Sequence, residues 1–156
     1  MIITIADWVF DVDSDATTLR TMQNSTDHCT CAYCRNYYGS VDLAHPRLRP
    51  VLAKFGIALE GPSELMPLEP NIMLACYRVQ GKILQTGCTN IYVDDVQITP
   101  EPEANGTFLL WAGDMVLPWI QEEPMEDVIS PANQPEFMER MAQKWAELNG
   151  IDFVLS

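Results

Sequence analysis

Residues 72–86 read IMLACYRVQGKILQT, and residues 107–120 read TFLLWAGDMVLPWI. Each stretch is apolar, rich in β-branched or aromatic side chains, and interrupted by a glycine dipeptide. Gln80-Gly81 separates 72–79 from 82–86, and Gly113-Asp114 separates 107–112 from 115–120. Two-residue glycine turns between strand-like runs predict two β-hairpins. Residues 91–98 predict a further strand, and 99–106 (TPEPEANG) a polar turn. Pro118 has no N–H to give a ladder, so it confines the last strand to a sheet edge. No helical period separates these strands. Parallel pairing would need crossover helices, so an antiparallel sheet of an α+β protein is expected, with about five to seven strands.

The same reading extends in both directions. Residues 2–12 alternate, with Ile2, Thr4, Ala6, Trp8, Phe10 and Val12 on one face, and predict a single half-buried strand. Ser14 predicts the cap of a short helix through Leu19 and Met22, weakened by Thr17, Thr18 and Thr21. Residues 24–36 read as a loop. Leu48, Val51, Leu52 and Phe55 follow helical spacing up to Gly56, a left-handed stop, and Pro46 and Pro50 set the start of that mid-chain helix. Gly61-Pro62 and the stretch from Pro67 to Pro70 read as a loop. Pro135, Glu136 and the stripe Phe137, Met138, Met141, Trp145 and Leu148 predict a C-terminal helix closed by Asn149-Gly150 and packed on the sheet. Trp8, Trp111, Trp119 and Trp145 are expected in the core. A length of 156 residues suits one domain spanning 1–156.

Composition excludes several classes. Apolar residues make up 47% of the chain, enough for a core, and no run of ~18 of them exists to cross a membrane. The N-terminus has no basic segment and is not a signal peptide, so a cytoplasmic, reducing setting without structural disulfides is expected. A net charge of −13 argues against nucleic acid. The charge is segregated. Residues 28–58 carry Arg35, Arg47, Arg49 and Lys54 against Asp42 alone, whereas 83–139 has acids and no Lys or Arg. Such an acidic surface suits a basic protein partner or self-association.

The chemical lead is HCTCAYCRNYY, residues 28–38. Cys31 and Cys34 form a Cys-x-x-Cys, a spacing that grips one metal ion in a tight turn. Four ligands close a structural zinc site. Cys29 is the candidate third, and His45 the candidate fourth with Cys76 or Cys88 as alternatives. His28 adjoins Cys29 too closely for both to face one ion readily. A competing reading is thiol redox chemistry by Cys31 and Cys34 with Arg35 as the local cation. Cys-Ala-Tyr-Cys resembles the Cys-Pro-Tyr-Cys of glutaredoxins over four or five residues, but Gly39, Pro46 and Pro50 are expected to break the long helix such a site requires. The thiols can also serve as small buried hydrophobes, above all Cys76 and Cys88.

A second resemblance covers roughly a third of the chain. Cys31-x-x-Cys34-Arg35-Asn36-Tyr37, then a proline-bearing helix ending Phe55-Gly56-Ile57, then a proline-rich loop, resembles a family of small uncharacterised bacterial proteins. Their pattern is Cys-x-x-Cys-(Lys/Arg)-Asn-(Phe/Tyr) and a helix closing on Leu-Gly-Ile-Asp. Ala58 stands where that Asp would be. The resemblance implies a shared shape and cysteine loop, with no activity attached.

Other signatures fail. Asp11, Asp13 and Asp15 match the first three ligands of an EF-hand, but Ala16 and Met22 replace its glycine and bidentate glutamate. No nucleophile elbow, zinc-protease helix or phosphate loop is present. The sequence therefore predicts a non-enzymatic domain with a structural cysteine loop, zinc as its candidate cofactor and an acidic interaction surface.

Overall fold

A computed structural model of the chain describes residues 1–26, 29–69 and 71–122. The expected C-terminal helix lies outside them, as does His28. Three helices and seven strands follow in the order β1 (Ile2–Ile5), β2 (Trp8–Val12), α1 (Ser14–Thr26), α2 (Ala32–Ala44), α3 (Leu48–Lys54), β3 (Glu64–Glu69), β4 (Ile72–Gln85), β5 (Ile91–Val93), β6 (Val96–Pro102) and β7 (Thr107–Val116). All pairings are antiparallel. The sheet order is β1-β2-β4-β7-β6-β5, with β3 also paired to β4. This is the expected α+β architecture.

β4 organises the sheet. Its first half pairs with β3 and β7, and its second half with β2. Gln80-Gly81 is therefore no hairpin turn, which corrects the sequence reading. Gly81 has φ +152° and lies against the Asp11 carbonyl, where any Cβ would collide. The glycine serves close approach as β4 changes partners.

Gly113-Asp114 also stays within one strand. Met73 faces Met115 while Ala75 faces Ala112, so β7 carries one extra residue, and Asp114 takes φ +56°. This β-bulge shifts the side-chain alternation by one. Leu110 and Ala112 before it and Met115 after it consequently all enter the same core.

Two further strands were expected to be whole and are split. β1 and β2 form a hairpin about Ala6 (φ +51°). β5 and β6 form another about Asp94 and Asp95, both at positive φ, the type I′ pattern. β6 also runs through Pro100 to Pro102, into the expected polar turn. The expected loop at Pro67 is β3, which pairs with β4 alone among the described residues, an edge position where proline is tolerated.

The helices cover one face. Met73, Ala75, Tyr77 and Val79 of β4 join Tyr37, Val41, Leu48, Leu52 and Phe55 in the main core. On the opposite face Leu74 and Cys76 pack with Met66 and Trp111, as strand alternation requires. α3 ends at Gly56 in the left-handed conformation, as expected. α1 is longer than its threonines suggest, and its cap is Asp13, whose Oδ1 accepts the Ala16 N–H at 3.0 Å. Thr17 and Thr21 are fully buried. Thr17 Oγ1 accepts the Gln80 N–H, and Thr21 Oγ1 accepts the Ala58 N–H. Their hydroxyls fasten α1 to β4 and to the loop after α3.

Candidate metal centre

Cys34 sits in the first turn of a helix, and Cys29 and Cys31 lie in the short loop that leads into it. α2 begins at Ala32 with extended Cys31 as its N-cap residue, and the Arg35 N–H bonds the Cys31 carbonyl at 2.9 Å. Gly39 does not break the helix. A Cβ there would press on Ile120 Cδ1, so the glycine makes room for that side chain. Pro46 and Pro50 fall beyond the end of α2, where His45 caps it.

The sulfur atoms of Cys29, Cys31 and Cys34 all lie within 4.8 Å of one another. Zn–S bonds of about 2.3 Å separate tetrahedral sulfurs by about 3.8 Å, so the three could meet on one ion after small side-chain rotations. Cys29 and Cys31 are exposed and Cys34 is buried. The Cys31 N–H points at Cys29 Sγ, 3.4 Å away, and holds that thiol below its ordinary range. Burial, followed by the neighbouring Cys31 and Cys29, pushes the Cys34 thiol up. Burial and the nearby Cys34 push the Tyr38 phenol up as well. A cation held among the three sulfurs would favour their thiolate forms.

Residues around the cluster tie it to the rest of the fold. Arg35 Nε donates to the Thr30 carbonyl at 2.9 Å, which closes the loop between the first two cysteines and the helix, and its Nη1 reaches Gln121 Oε1 at 3.2 Å. Asn36, 2% exposed, accepts the Ile120 N–H at 2.8 Å and donates to the Pro118 carbonyl at 3.1 Å. Tyr33 meets Trp119 edge to face. Tyr37 lies in the core against Tyr77. The 118–121 segment is thus strapped along α2 beside the cysteines.

The expected fourth ligand is not among these groups. His45 caps the far end of α2, whose 13 residues span about 20 Å, and its Nδ1 bonds the Asp94 carbonyl at 2.7 Å. Cys76 belongs to the core on the outer face of β4. Cys88 is exposed in the loop after β4, where its N–H bonds Asp7 Oδ2 at 2.7 Å. Among the described residues, no His, Cys, Asp or Glu joins the three sulfurs. A cleft of about 290 Å³ opens instead beside Cys29 and Cys34, walled by Tyr38, Pro62, Ser63 and Glu64.

Sequence reasoning missed Asn36 as a fastening and missed the cleft. The first is one polar residue on a helix taken for a loop, and the second joins α2 to β3, far apart in the chain. The basic stretch is largely neutralised by acids that the fold brings to it. Arg47 pairs with Asp94 at 2.7 Å, and Arg49 bridges Asp42 and Glu60. Asp11 pairs with the amino terminus at 3.4 Å and Asp13 caps α1, so both carboxylates have structural partners. No helix among the described residues is long and apolar enough to cross a membrane. No protein-family model, curated protein or solved structure matches this chain.

Proposed function

We propose that Cys29, Cys31 and Cys34 hold a metal ion, zinc by preference, and that this fastening is what the cysteine loop is for. The observation that carries the reading is the convergence of three sulfurs within 4.8 Å at a helix start. Soft thiolates select zinc and similar ions over calcium or magnesium. The supports from Arg35 and Asn36 argue for a loop whose shape matters. In this reading the domain is non-enzymatic and cytoplasmic. Its acidic surface receives a basic protein partner or a second copy, with nucleic acid and membrane excluded as partners. The resemblance to small bacterial proteins with the Cys-x-x-Cys-(Lys/Arg)-Asn-(Phe/Tyr) motif fits the same reading, since Arg35, Asn36 and Tyr37 each have a structural task.

The deciding measurement is metal content against protein concentration for protein purified without chelator. One equivalent of zinc, and thiols that resist mild alkylation until a chelator is added, support the proposal. Metal-free protein with no uptake of added zinc defeats it.

A second reading gains from the structure. The expectation that Gly39 breaks the helix falls, because α2 begins immediately after Cys31 and runs through Gly39 to Ala44. Cys31 would attack a substrate disulfide, and Cys34 would resolve the mixed disulfide. The substrate leaves as two thiols, and the two electrons that reduce it come from the Cys31 and Cys34 thiols as they are oxidised to a disulfide. Rapid alkylation of metal-free protein and cycling with a dithiol reductant would favour this reading.

A further inference from the structure

We infer that the metal held by Cys29, Cys31 and Cys34 keeps one coordination position facing the cleft beside Tyr38, Ser63 and Glu64, and that this position takes the sulfur of a small thiol. The inference rests on the metal-binding reading above and adds the ligand class that completes the site.

Three observations lead there. The cluster provides three donors among the described residues, whereas closed structural zinc sites have four. Two of the three cysteines, Cys29 and Cys34, line the cleft, so a molecule in it lies beside the sulfurs. The cleft measures about 290 Å³, at the small end of ligand pockets, which suits a molecule of cysteine size and not a peptide segment.

The chemistry selects the donor. Three thiolates pass charge to the ion and weaken it as a Lewis acid, so it activates water poorly and prefers a soft fourth partner. A thiol meets that need. Its sulfur lone pair forms the new metal–sulfur bond, the water it displaces returns to solvent, and its proton leaves to solvent. The walls add polar contacts from Asn24, Ser63 and Glu64, which suit an amino-acid-like body more than an apolar one.

The test uses the full chain loaded anaerobically with Co(II) in thiol-free buffer, with free cysteine as the probe. Sulfur-to-cobalt charge-transfer absorption counts thiolates on the ion. Added cysteine is expected to raise it saturably by about one third, from three sulfurs to four. Ser63→Trp fills the cleft and is expected to abolish the rise while leaving the starting spectrum intact. Glu64→Trp, at a neighbouring exposed position, provides the same test should the first variant fold poorly. A charge-transfer spectrum that cysteine leaves unchanged would overturn this inference alone and leave the metal site standing. Removal of the cobalt by cysteine would do the same. No charge-transfer absorption on adding Co(II) would overturn both.

Discussion

The Tyr37 and Tyr77 hydroxyls are hydrogen-bonded to each other in the core, and both residues are fully buried. The Tyr77 hydroxyl donates its hydrogen bond to the Leu59 carbonyl at 2.6 Å, so Tyr37 must be the donor between them. The two phenylalanine variants are therefore unequal. Tyr37→Phe removes a donor and leaves Tyr77 bonded to Leu59. Tyr77→Phe strands both the Tyr37 hydroxyl and the Leu59 carbonyl. The expected cost is about 1 kcal/mol for the first and about 2–4 kcal/mol for the second. Urea unfolding of both variants checks this, and equal midpoints would refute the assigned direction.

Asn36 joins α2 to the chain leaving β7 through two hydrogen bonds, to the Ile120 N–H and the Pro118 carbonyl. Asn36→Ala leaves both groups without their partner near the cysteine loop. A loss of about 2–3 kcal/mol is expected, larger than for an exposed asparagine. Asn36→Asp keeps an acceptor for Ile120 but sets a buried carboxylate against the Pro118 carbonyl, and so should fall below alanine at neutral pH. Denaturant midpoints for the three proteins establish or break that order.

These relationships explain which parts of the fold could be read from the sequence. The antiparallel sheet and α3 with its Gly56 stop follow from local pattern and turn chemistry. The errors arose where a residue does tertiary work that imitates a local signal. Gly81 and the Gly113-Asp114 pair look like hairpin turns, yet one admits the Asp11 carbonyl and the other forms a bulge. Gly39 looks like a helix breaker, yet it seats Ile120. The threonines of α1 lower its propensity, yet their hydroxyls bond Gln80 and Ala58. Of the candidate site, the three cysteines could be read from their spacing. That His45 lies a helix length away could not, because the helix itself was hidden.

Arg49 bridges Asp42 at the end of α2 and Glu60 in the loop after α3, and the bond from Arg49 holds the Glu60 carboxyl below its ordinary range. A carboxylate whose folded pKa is depressed contributes stability above its unfolded value, near 4.5, and loses it as pH falls through the lower folded value. Glu60→Gln should therefore flatten the acid limb of the stability profile below about pH 5. Both partners are more than a third exposed, so the loss at neutral pH is expected to be only a few tenths of a kcal/mol. Thermal melts between pH 3 and 7 test this, and parallel acid limbs for the two proteins would contradict it.

Cys34 and Cys88 are both free, but one is buried in the sulfur cluster and the other is exposed. Metal that binds only the folded state adds stability through mass action, about 4 kcal/mol at a free concentration 1,000 times the dissociation constant. Cys34→Ser forfeits that contribution along with the packing of a buried sulfur. Cys88→Ser touches neither, and its backbone bond to Asp7 persists. In zinc-containing buffer, Cys34→Ser is expected to melt well below Cys88→Ser, which stays close to wild type. A chelator should bring wild type and Cys88→Ser down together and leave Cys34→Ser where it was, closing most of the gap. The residue of the gap then measures packing alone. Melting temperatures that coincide before chelation would show that the cluster carries no metal-linked stability, and the three sulfurs would then be small side chains filling the start of a helix.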